Sequence, residues 1–243
     1  MKIMSIVGAR PQFVKAAQVI NAINKNVEHL LVHTGQHYDN LMSDIFIKEL
    51  RIPEPDYNLG VGSGTHALQT SKLLISLENT MMKEKPDIII LYGDTNSTLA
   101  GALVASKLKI PIAHVEAGLR TDNILNPFPE EANRRLISQI STLHFAPTEM
   151  SKANLVASDA KGKIFVTGNT IIDSLFAISK DLNKDLFNSK SGLLITGGTG
   201  SFGSLFLKRV IESWPNIGRI VIYSRDELKQ WELKEHFSEK KYP

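Results

Sequence analysis

Three acidic side chains stand where predicted strands end or a predicted helix begins. Asp94 lies in YGDTNSTLA, Glu116 in HVEAGLRT and Glu130 in PFPEEANRR. A cluster of like charges raises the pKa of at least one member, which is how an acid and a base coexist near neutral pH. The three carboxylates therefore predict acid–base chemistry, provided that the fold brings them to one edge.

Cationic and polar side chains occur in loops nearer the start of the chain. GARPQFVK carries Arg10 and Lys15 beside a predicted helix start, where backbone N–H groups suit a phosphate or a carboxylate. TGQH supplies Gln36 and His37, and Arg134 follows the acidic pair of PFPEEANRR. Cations on the same edge as the acids predict a phosphorylated small molecule as substrate. The alternatives are a solvated basic turn for GARPQFVK and an ordinary loop residue for His37.

Two of the acidic motifs also have structural interpretations. Asp94 could cap a helix, as could the Thr, Asn and Ser that follow it. Glu130 falls in a first helical turn, where it favours the macrodipole and is spaced to pair with Arg134. Glu131 and Arg135 have the same spacing.

Glu116 has no such structural task. It stands in a loop beside Gly118, at the edge where a parallel sheet binds ligands. We therefore interpret Glu116 as functional, with Arg120 as its candidate partner.

Alternating strands and helices position these groups. Nearly continuous apolar runs predict strands covered on both faces, at 3–7, 29–33, 87–92, 110–115, 142–146 and 163–167. Apolar residues at helical spacing predict helices after Pro11, around 68–77 and 99–108, and over 169–187. This alternation predicts an α/β fold with a Rossmann-like parallel sheet whose strand carboxyl ends share one edge.

A second strand–helix–strand unit follows a polar stretch. LLIT leads into TGGTGSFG (196–203), then a helix and the strand RIVIYS. Gly197 and Gly200 would permit a tight turn and close approach to a pyrophosphate, and Gly203 would permit close helix–strand packing. Arg225, after the second strand, could receive the 2′-phosphate of NADP. We predict domains at 1–178 and 193–243, the second a partial NAD(P)-binding Rossmann βαβ unit, joined by a polar linker at 179–192.

Composition excludes several classes of function. The chain has 28 Lys and Arg against 25 Asp and Glu, and a net charge of +3 is too mild to indicate nucleic-acid binding. It contains no cysteine, which excludes disulfides, thiol nucleophiles and zinc–thiolate sites, and we predict no metal site. No signal-peptide core or membrane span is recognisable, so we predict a cytoplasmic protein without membrane insertion.

Six motifs resemble those of the non-hydrolysing UDP-N-acetylglucosamine 2-epimerases in order and approximate spacing, over about residues 1–180: GARPQFVK, TGQH, GDTNSTLA, HVEAGLRT, PFPEEANRR and TGNTIID. The resemblance implies two Rossmann-like domains in a glycosyltransferase-B-like arrangement, with the active site between them. It implies an isomerase without a cofactor that serves polysaccharide biosynthesis. The C2 proton of UDP-N-acetylglucosamine is removed and UDP leaves; UDP then adds back to the glycal and C2 is reprotonated on the other face.

The same resemblance implies roles for individual residues. Three positions match the family's catalytic carboxylates: Asp94, Glu116 and Glu130. Three more match positions that line the substrate site: Arg10, Lys15 and Arg134. Gln36 and His37 match a loop associated in some members with a second, regulatory substrate molecule.

Residues 191–235 resemble a different family. TGGTGSFG and YSRDELKQ are typical of UDP-N-acetylglucosamine 4,6-dehydratases of the extended short-chain dehydrogenase/reductase type. No motif of the epimerases' second domain, which holds most UDP contacts and a catalytic histidine, follows residue 180. The sequence thus favours a 2-epimerase and leaves two alternatives open. One is an NADP-binding dehydratase-like fragment. The other is a non-catalytic remnant, or a subunit completed by a partner or within a homo-oligomer.

Overall fold

The structure is a computed structural model that describes residues 1–23, 26–36, 50–181, 192–196, 199, 201–224, 231, 233 and 237. Its two compact units are Met1–Ile178 and Ser179–Pro243. Four predicted site residues lie outside the described residues: His37, Gly197, Gly200 and Arg225. Most of the predicted linker also lies outside them.

The first unit is built on a parallel sheet of seven strands in the order β3-β2-β1-β4-β5-β6-β7. The strands are β1 Lys2–Val7, β2 Glu28–His33, β3 Tyr57–Asn58, β4 Ile88–Tyr92, β5 Ile112–Val115, β6 Leu143–Ala146 and β7 Lys163–Val166. The six predicted strands are confirmed. The two-residue strand β3 was not predicted, because it has no apolar run.

Helices connect the strands of this sheet. They are α1 Arg10–Ala22, α2 His66–Glu84, α3 Asn96–Lys107, α4 Glu130–Ile140, α5 Glu149–Ala157 and α6 Thr170–Asp181. Threonine side chains cap three of them by accepting a backbone N–H of the first turn: Thr65 for α2, Thr95 for α3 and Thr148 for α5. The short helix α5 was not predicted.

The sheet is covered on both faces, as the continuous apolar runs predict. Successive strand residues point to opposite faces, so Leu91 belongs to the core beneath α2, α3 and α4, whereas Tyr92 belongs to the core beneath α1. Both side chains are fully buried.

The strand order creates a switch point between β1 and β4. From β1 the chain winds outward to β2 and β3, and from β4 it winds the other way. Ligands bind at the carboxyl ends of strands beside such a point. The loops there approach closely, since a Cβ on Gly8 would lie 2.3 Å from Ser97 Oγ.

Among its described residues, the second unit contains one parallel pair, β8 Gly192–Thr196 and β9 Arg219–Tyr223, with helix α7 Ser201–Ser213 between them. This is the predicted βαβ arrangement. Gly203 is buried in α7, and the hydroxyls of Thr199 and Ser224 lie 2.7 Å apart beyond the strand ends. Across all described residues, no helix is both long and apolar enough to cross a membrane.

Gly118, in the loop after β5, provides a test of this packing. Its φ is +85°, and an added Cβ would lie 2.2 Å from the backbone oxygen of Ser151 in α5. We expect Gly118→Ala to lower the free energy of unfolding by about 2–4 kcal/mol. Gly64→Ala is the matched control, because its Cβ would meet only the Leu68 side chain at 3.5 Å. Equal urea midpoints for the two variants would contradict the prediction.

Candidate active site

Glu116 lies in a strained loop directly after β5. Its φ is +65°, which is uncommon for a residue other than glycine. The carboxylate forms an ion pair with Lys15 of α1, and each side chain is only 12% exposed. The prediction that Arg120 pairs with Glu116 is wrong, because Arg120 donates to Ser138 Oγ and to the backbone oxygen of Leu119, each at 2.8 Å.

The Lys15–Glu116 pair packs against the bare α-carbon of Gly93, the first residue after β4. A Cβ there would lie 3.0 Å from Lys15 Nζ and 3.4 Å from Glu116 Oε2. The φ of Gly93 is +67°, which also favours glycine. Gly93 therefore lets α1, β4 and β5 bring their polar groups to one point.

Asp94, the next residue, is held by Arg134 of α4. Arg134 Nε donates to Asp94 Oδ2 at 2.8 Å, and Nη2 lies 2.7 Å from the same oxygen. Asp94 is not the helix cap that the sequence left open, because Thr95 Oγ1 accepts the backbone N–H of Thr98. Its carboxylate is therefore held by a cation rather than by a helix end.

Glu131 of α4 belongs to the site, although the sequence indicated only its spacing to Arg135. Its side chain is fully buried, where an unpaired charge is costly. Thr121 N donates to it at 3.1 Å, Arg134 Nη1 at 3.4 Å and Arg135 Nε at 2.8 Å. Glu131 thus fixes the arginine that holds Asp94 and anchors the loop that follows Glu116. Its spacing to both arginines was the available signal.

Glu130, the first residue of α4, differs from the other two predicted carboxylates. It is half-buried, and within the described part of the chain it forms no ion pair. The predicted pair with Arg134 is wrong, because Arg134 turns to Asp94 and Glu131. Of the three predicted carboxylates, Asp94 and Glu116 are therefore held by cations, whereas Glu130 has no ion pair among the described residues.

Buried amides connect the loops around these charges. Asn133 Nδ2 donates to the backbone oxygen of Asp94 at 2.8 Å, and Asn96 Nδ2 donates to Gln69 Oε1 at 2.9 Å. Gln36 Oε1 accepts from Ser97 Oγ at 2.7 Å. The side-chain oxygen of Gln36 is therefore used inside the protein, and its predicted substrate contact stays a prediction.

The predicted anion site at the start of α1 is partly occupied by the chain itself. Gln12 Oε1 accepts the backbone N–H groups of Gly8 at 2.7 Å and Ala9 at 3.0 Å. Arg10, the first residue of α1, is half-buried there and stays a candidate for binding phosphate. Among the described residues, no three His, Asp or Glu side chains are grouped to hold a metal ion. NADP binding stays a prediction.

His114 supports Gly93 from inside the sheet. Its Nε2 lies 2.7 Å from the backbone oxygen of Gly93. Because a carbonyl oxygen only accepts, Nε2 carries the proton and Nδ1 does not. Burial is the main cause that lowers the pKa of His114, to about 4. The imidazole is therefore neutral at physiological pH.

Neutralising Glu131 tests its role. We expect Glu131→Gln to lower the free energy of unfolding by about 3 kcal/mol, because the amide breaks the ion pairs that the buried carboxylate forms with Arg134 and Arg135. Glu149→Gln is the matched control, since the Glu149 side chain is 79% exposed and lies 3.9 Å from Lys152. Urea denaturation followed by circular dichroism measures both. A loss no greater than that of the control would show that Glu131 is dispensable.

The pKa of His114 predicts a pH dependence. The pKa of His114 is about 6.5 in the unfolded chain, whereas it is about 4 in the folded chain. The contribution of His114 to the free energy of unfolding is therefore complete above pH 6.5. It decreases by up to about 3 kcal/mol as the pH drops to 4.

His114→Gln isolates this effect, because the glutamine can still donate to Gly93 but does not titrate. We expect the free energy of unfolding, measured by urea denaturation, to depend less steeply on pH in the variant than in the parent. A remaining slope reflects His29, His33 and His144, whose pKa values burial also lowers. Parallel profiles for parent and variant would contradict the assignment.

Sequence profiles of two families match the chain. The profile of UDP-N-acetylglucosamine 2-epimerase matches residues 21–197. A profile described as polysaccharide biosynthesis protein matches residues 193–243. The two matches follow the two predicted resemblances along the chain.

Individual relatives agree with the first match. A UDP-N-acetylglucosamine 2-epimerase of Methanocaldococcus jannaschii is 52% identical over 176 residues, which are 72% of this chain and 48% of that protein. A UDP-2,3-diacetamido-2,3-dideoxy-D-glucuronate 2-epimerase of Pseudomonas aeruginosa is 52% identical over 157 residues, 64% of this chain and 44% of that protein. The chain thus spans about half the length of the curated relatives it matches.

A solved structure confirms the predicted α/β fold. The crystal structure of the M. jannaschii UDP-GlcNAc 2-epimerase, in complex with UDP-GlcNAc and UDP, aligns with a TM-score of 0.73 and 38% identity. The alignment covers 98% of this chain and 69% of that one. Because the 2-epimerase profile also covers well over half of its residues, this chain belongs to the UDP-N-acetylglucosamine 2-epimerase family.

Proposed function

We propose that the chain epimerises a UDP-linked 2-acetamido sugar at C2, interconverting UDP-N-acetylglucosamine and UDP-N-acetylmannosamine. The observation that carries this proposal is the pair of carboxylates at Gly93, Asp94 and Glu116, together with Glu130 on the helix whose Arg134 holds Asp94. Glu116 and Asp94 are each held by a cation, and Glu130 is available at the start of α4. Family membership supports the same conclusion.

The reaction needs groups of this kind. A base removes the C2 proton, the C1–oxygen bond to UDP breaks, and a C1=C2 double bond forms. UDP then re-forms the C1–oxygen bond while an acid returns a proton to the opposite face of C2. No net oxidation occurs, so carboxylates and cations supply the required chemistry. Two proton-handling groups are needed, one for each face of the sugar.

The contacts suggest how the roles divide. Glu130 forms no ion pair among the described residues, so it is the carboxylate most able to exchange a proton with a substrate. Glu116 and Asp94 are fixed by Lys15 and Arg134, which suits groups that must hold their position. Lys15, Arg134 and Arg10 are the cations proposed to face the diphosphate.

The substrate class is inferred from the relatives. The M. jannaschii protein is described as a UDP-N-acetylglucosamine 2-epimerase and the P. aeruginosa protein as a UDP-2,3-diacetamido-2,3-dideoxy-D-glucuronate 2-epimerase. Both names specify a UDP-linked sugar and epimerisation at C2, and the two sugars differ at other positions. We therefore propose UDP-2-acetamido sugars as the class, with UDP-N-acetylglucosamine as the first to test.

Proton NMR in deuterated water tests the proposal with the full chain. We expect the C2 proton signal of UDP-N-acetylglucosamine to disappear while the manno epimer forms. Glu130→Gln should slow this exchange at least about 100-fold, as loss of an acid–base group does. Glu149→Gln, an exposed exchange of the same type, should leave the rate unchanged.

The outcomes separate three interpretations. No exchange by folded protein with either named sugar would overturn the proposed activity for this chain and favour a non-catalytic remnant or an incomplete subunit. Exchange with only the diacetamido sugar would keep the reaction and change the substrate. Equal rates for Glu130→Gln and the parent would keep the activity and show that Glu130 takes no part in it.

A further inference from the structure

The first residue of α2, His66, connects the start of that helix with the loop that follows β4. Its ring nitrogen Nδ1 lies 3.1 Å from Nδ2 of Asn96. Asn96 is only 5% exposed and stands two residues after Asp94, at the start of α3. His66 itself is exposed. A buried amide therefore fixes one side of the imidazole, while the residue stays accessible to a ligand.

Gln69, one turn further along α2, fixes the direction of this hydrogen bond. Gln69 Nε2 lies 3.0 Å from the backbone oxygen of Gly62 and 3.4 Å from that of Gln36. Because carbonyl oxygens only accept, Gln69 presents its NH₂ group to them and its Oε1 is an acceptor. That Oε1 lies 2.9 Å from Asn96 Nδ2, which therefore donates. The second hydrogen of the same Nδ2 faces His66 Nδ1, which accepts.

Asn133 of α4 assigns the same orientation to Asn96 from the other side. Asn133 Nδ2 donates to the backbone oxygen of Asp94 at 2.8 Å and lies 3.4 Å from Asn96 Oδ1. Asn96 thus presents its oxygen to Asn133 and its NH₂ group to His66. A neutral imidazole whose Nδ1 accepts carries its proton on Nε2. In this tautomer, His66 offers a hydrogen-bond donor at Nε2.

An exposed aromatic ring lies beside this donor. Phe128 is 56% exposed, and its ring centroid lies 5.7 Å from that of His66, with the two rings nearly perpendicular. Phe128 precedes Glu130 by two positions, and Asn133 follows Glu130 by about one helical turn. The chain on each side of Glu130 therefore reaches His66, directly or through Asn96. His66 and Phe128 lie beside the carboxylate proposed to exchange the C2 proton.

We propose that His66 and Phe128 bind the 2-acetamido group of the substrate and make the site selective for 2-acetamido sugars. This inference rests on the proposed epimerase function. The acetamido nitrogen is attached to C2, the carbon whose proton is exchanged, so the group must lie next to Glu130. Its carbonyl oxygen accepts the hydrogen bond from His66 Nε2, and its methyl group packs on the ring of Phe128. A sugar with a hydroxyl group at C2 offers neither the carbonyl nor the methyl group.

Nitrogen-15 NMR of the full chain with labelled histidine tests the tautomer and the contact. At about pH 8, above the ordinary titration range of histidine, we expect His66 to show a protonated Nε2 and an unprotonated Nδ1. His66→Phe removes one set of ring signals and so identifies His66 among the seven histidines. We expect UDP-N-acetylglucosamine to shift the Nε2 signal. UDP and UDP-glucose, which lack the acetamido group, should leave it in place.

Calorimetric binding of the two UDP-sugars tests the selectivity. His66→Phe keeps a ring beside Phe128 and removes the donor. We expect it to weaken the binding of UDP-N-acetylglucosamine about tenfold, as loss of one hydrogen bond does, and that of UDP-glucose less than about twofold. A purely structural role would weaken both ligands equally. Glu149→Gln, an exposed substitution on α5, is the control and should change neither affinity.

Three results would overturn the inference. A proton on Nδ1 of His66 would reverse the assigned donor. An unmoved Nε2 signal at millimolar UDP-N-acetylglucosamine would remove the contact, and equal weakening of both ligands by His66→Phe would remove the selectivity. Binding is measured without turnover. Exchange at C2 without a response of His66 would therefore leave the proposed function intact, whereas selective binding without exchange would leave only the present inference.

Discussion

The ion pair of Lys15 and Glu116 over Gly93 is the contact on which the polar edge of the sheet depends. It joins a helix that follows β1 to the loops that follow β4 and β5. A single added carbon at Gly93 would occupy space within 3.0 Å of the lysine ammonium. The absence of a side chain at this position therefore decides where two charged side chains lie.

A second constraint is that buried charge must be paired. Glu131 is fully buried and accepts hydrogen bonds from the backbone N–H of Thr121 and from two arginines of its own helix. One of these arginines, Arg134, reaches across to Asp94. Because an unpaired buried charge is costly, these contacts fix the loop at Thr121 and helix α4 relative to each other. The position of Asp94 is thus set by a residue that never touches it.

The fold could be predicted from the sequence because burial on both faces leaves a continuous apolar run in each strand. The two-residue strand β3 and the short helix α5 carry no such run, so they could not be. The positions of Asp94 and Glu116 after strand ends, and of Glu130 at a helix start, could also be predicted, since both kinds of boundary are recognisable. Their partners could not. Lys15 and Glu116 are 101 positions apart, and only the strand order brings them together.

Helix α2 connects the hydrophobic core with the polar edge of the sheet. Its buried face, with Leu73 and Leu77, packs in the core. In its first turns, His66 and Gln69 both contact Asn96. Asn133 reaches Asn96 Oδ1 at 3.4 Å and the backbone oxygen of Asp94 at 2.8 Å. The first turns of α2 therefore help to hold, through these buried amides, the backbone that carries Asp94.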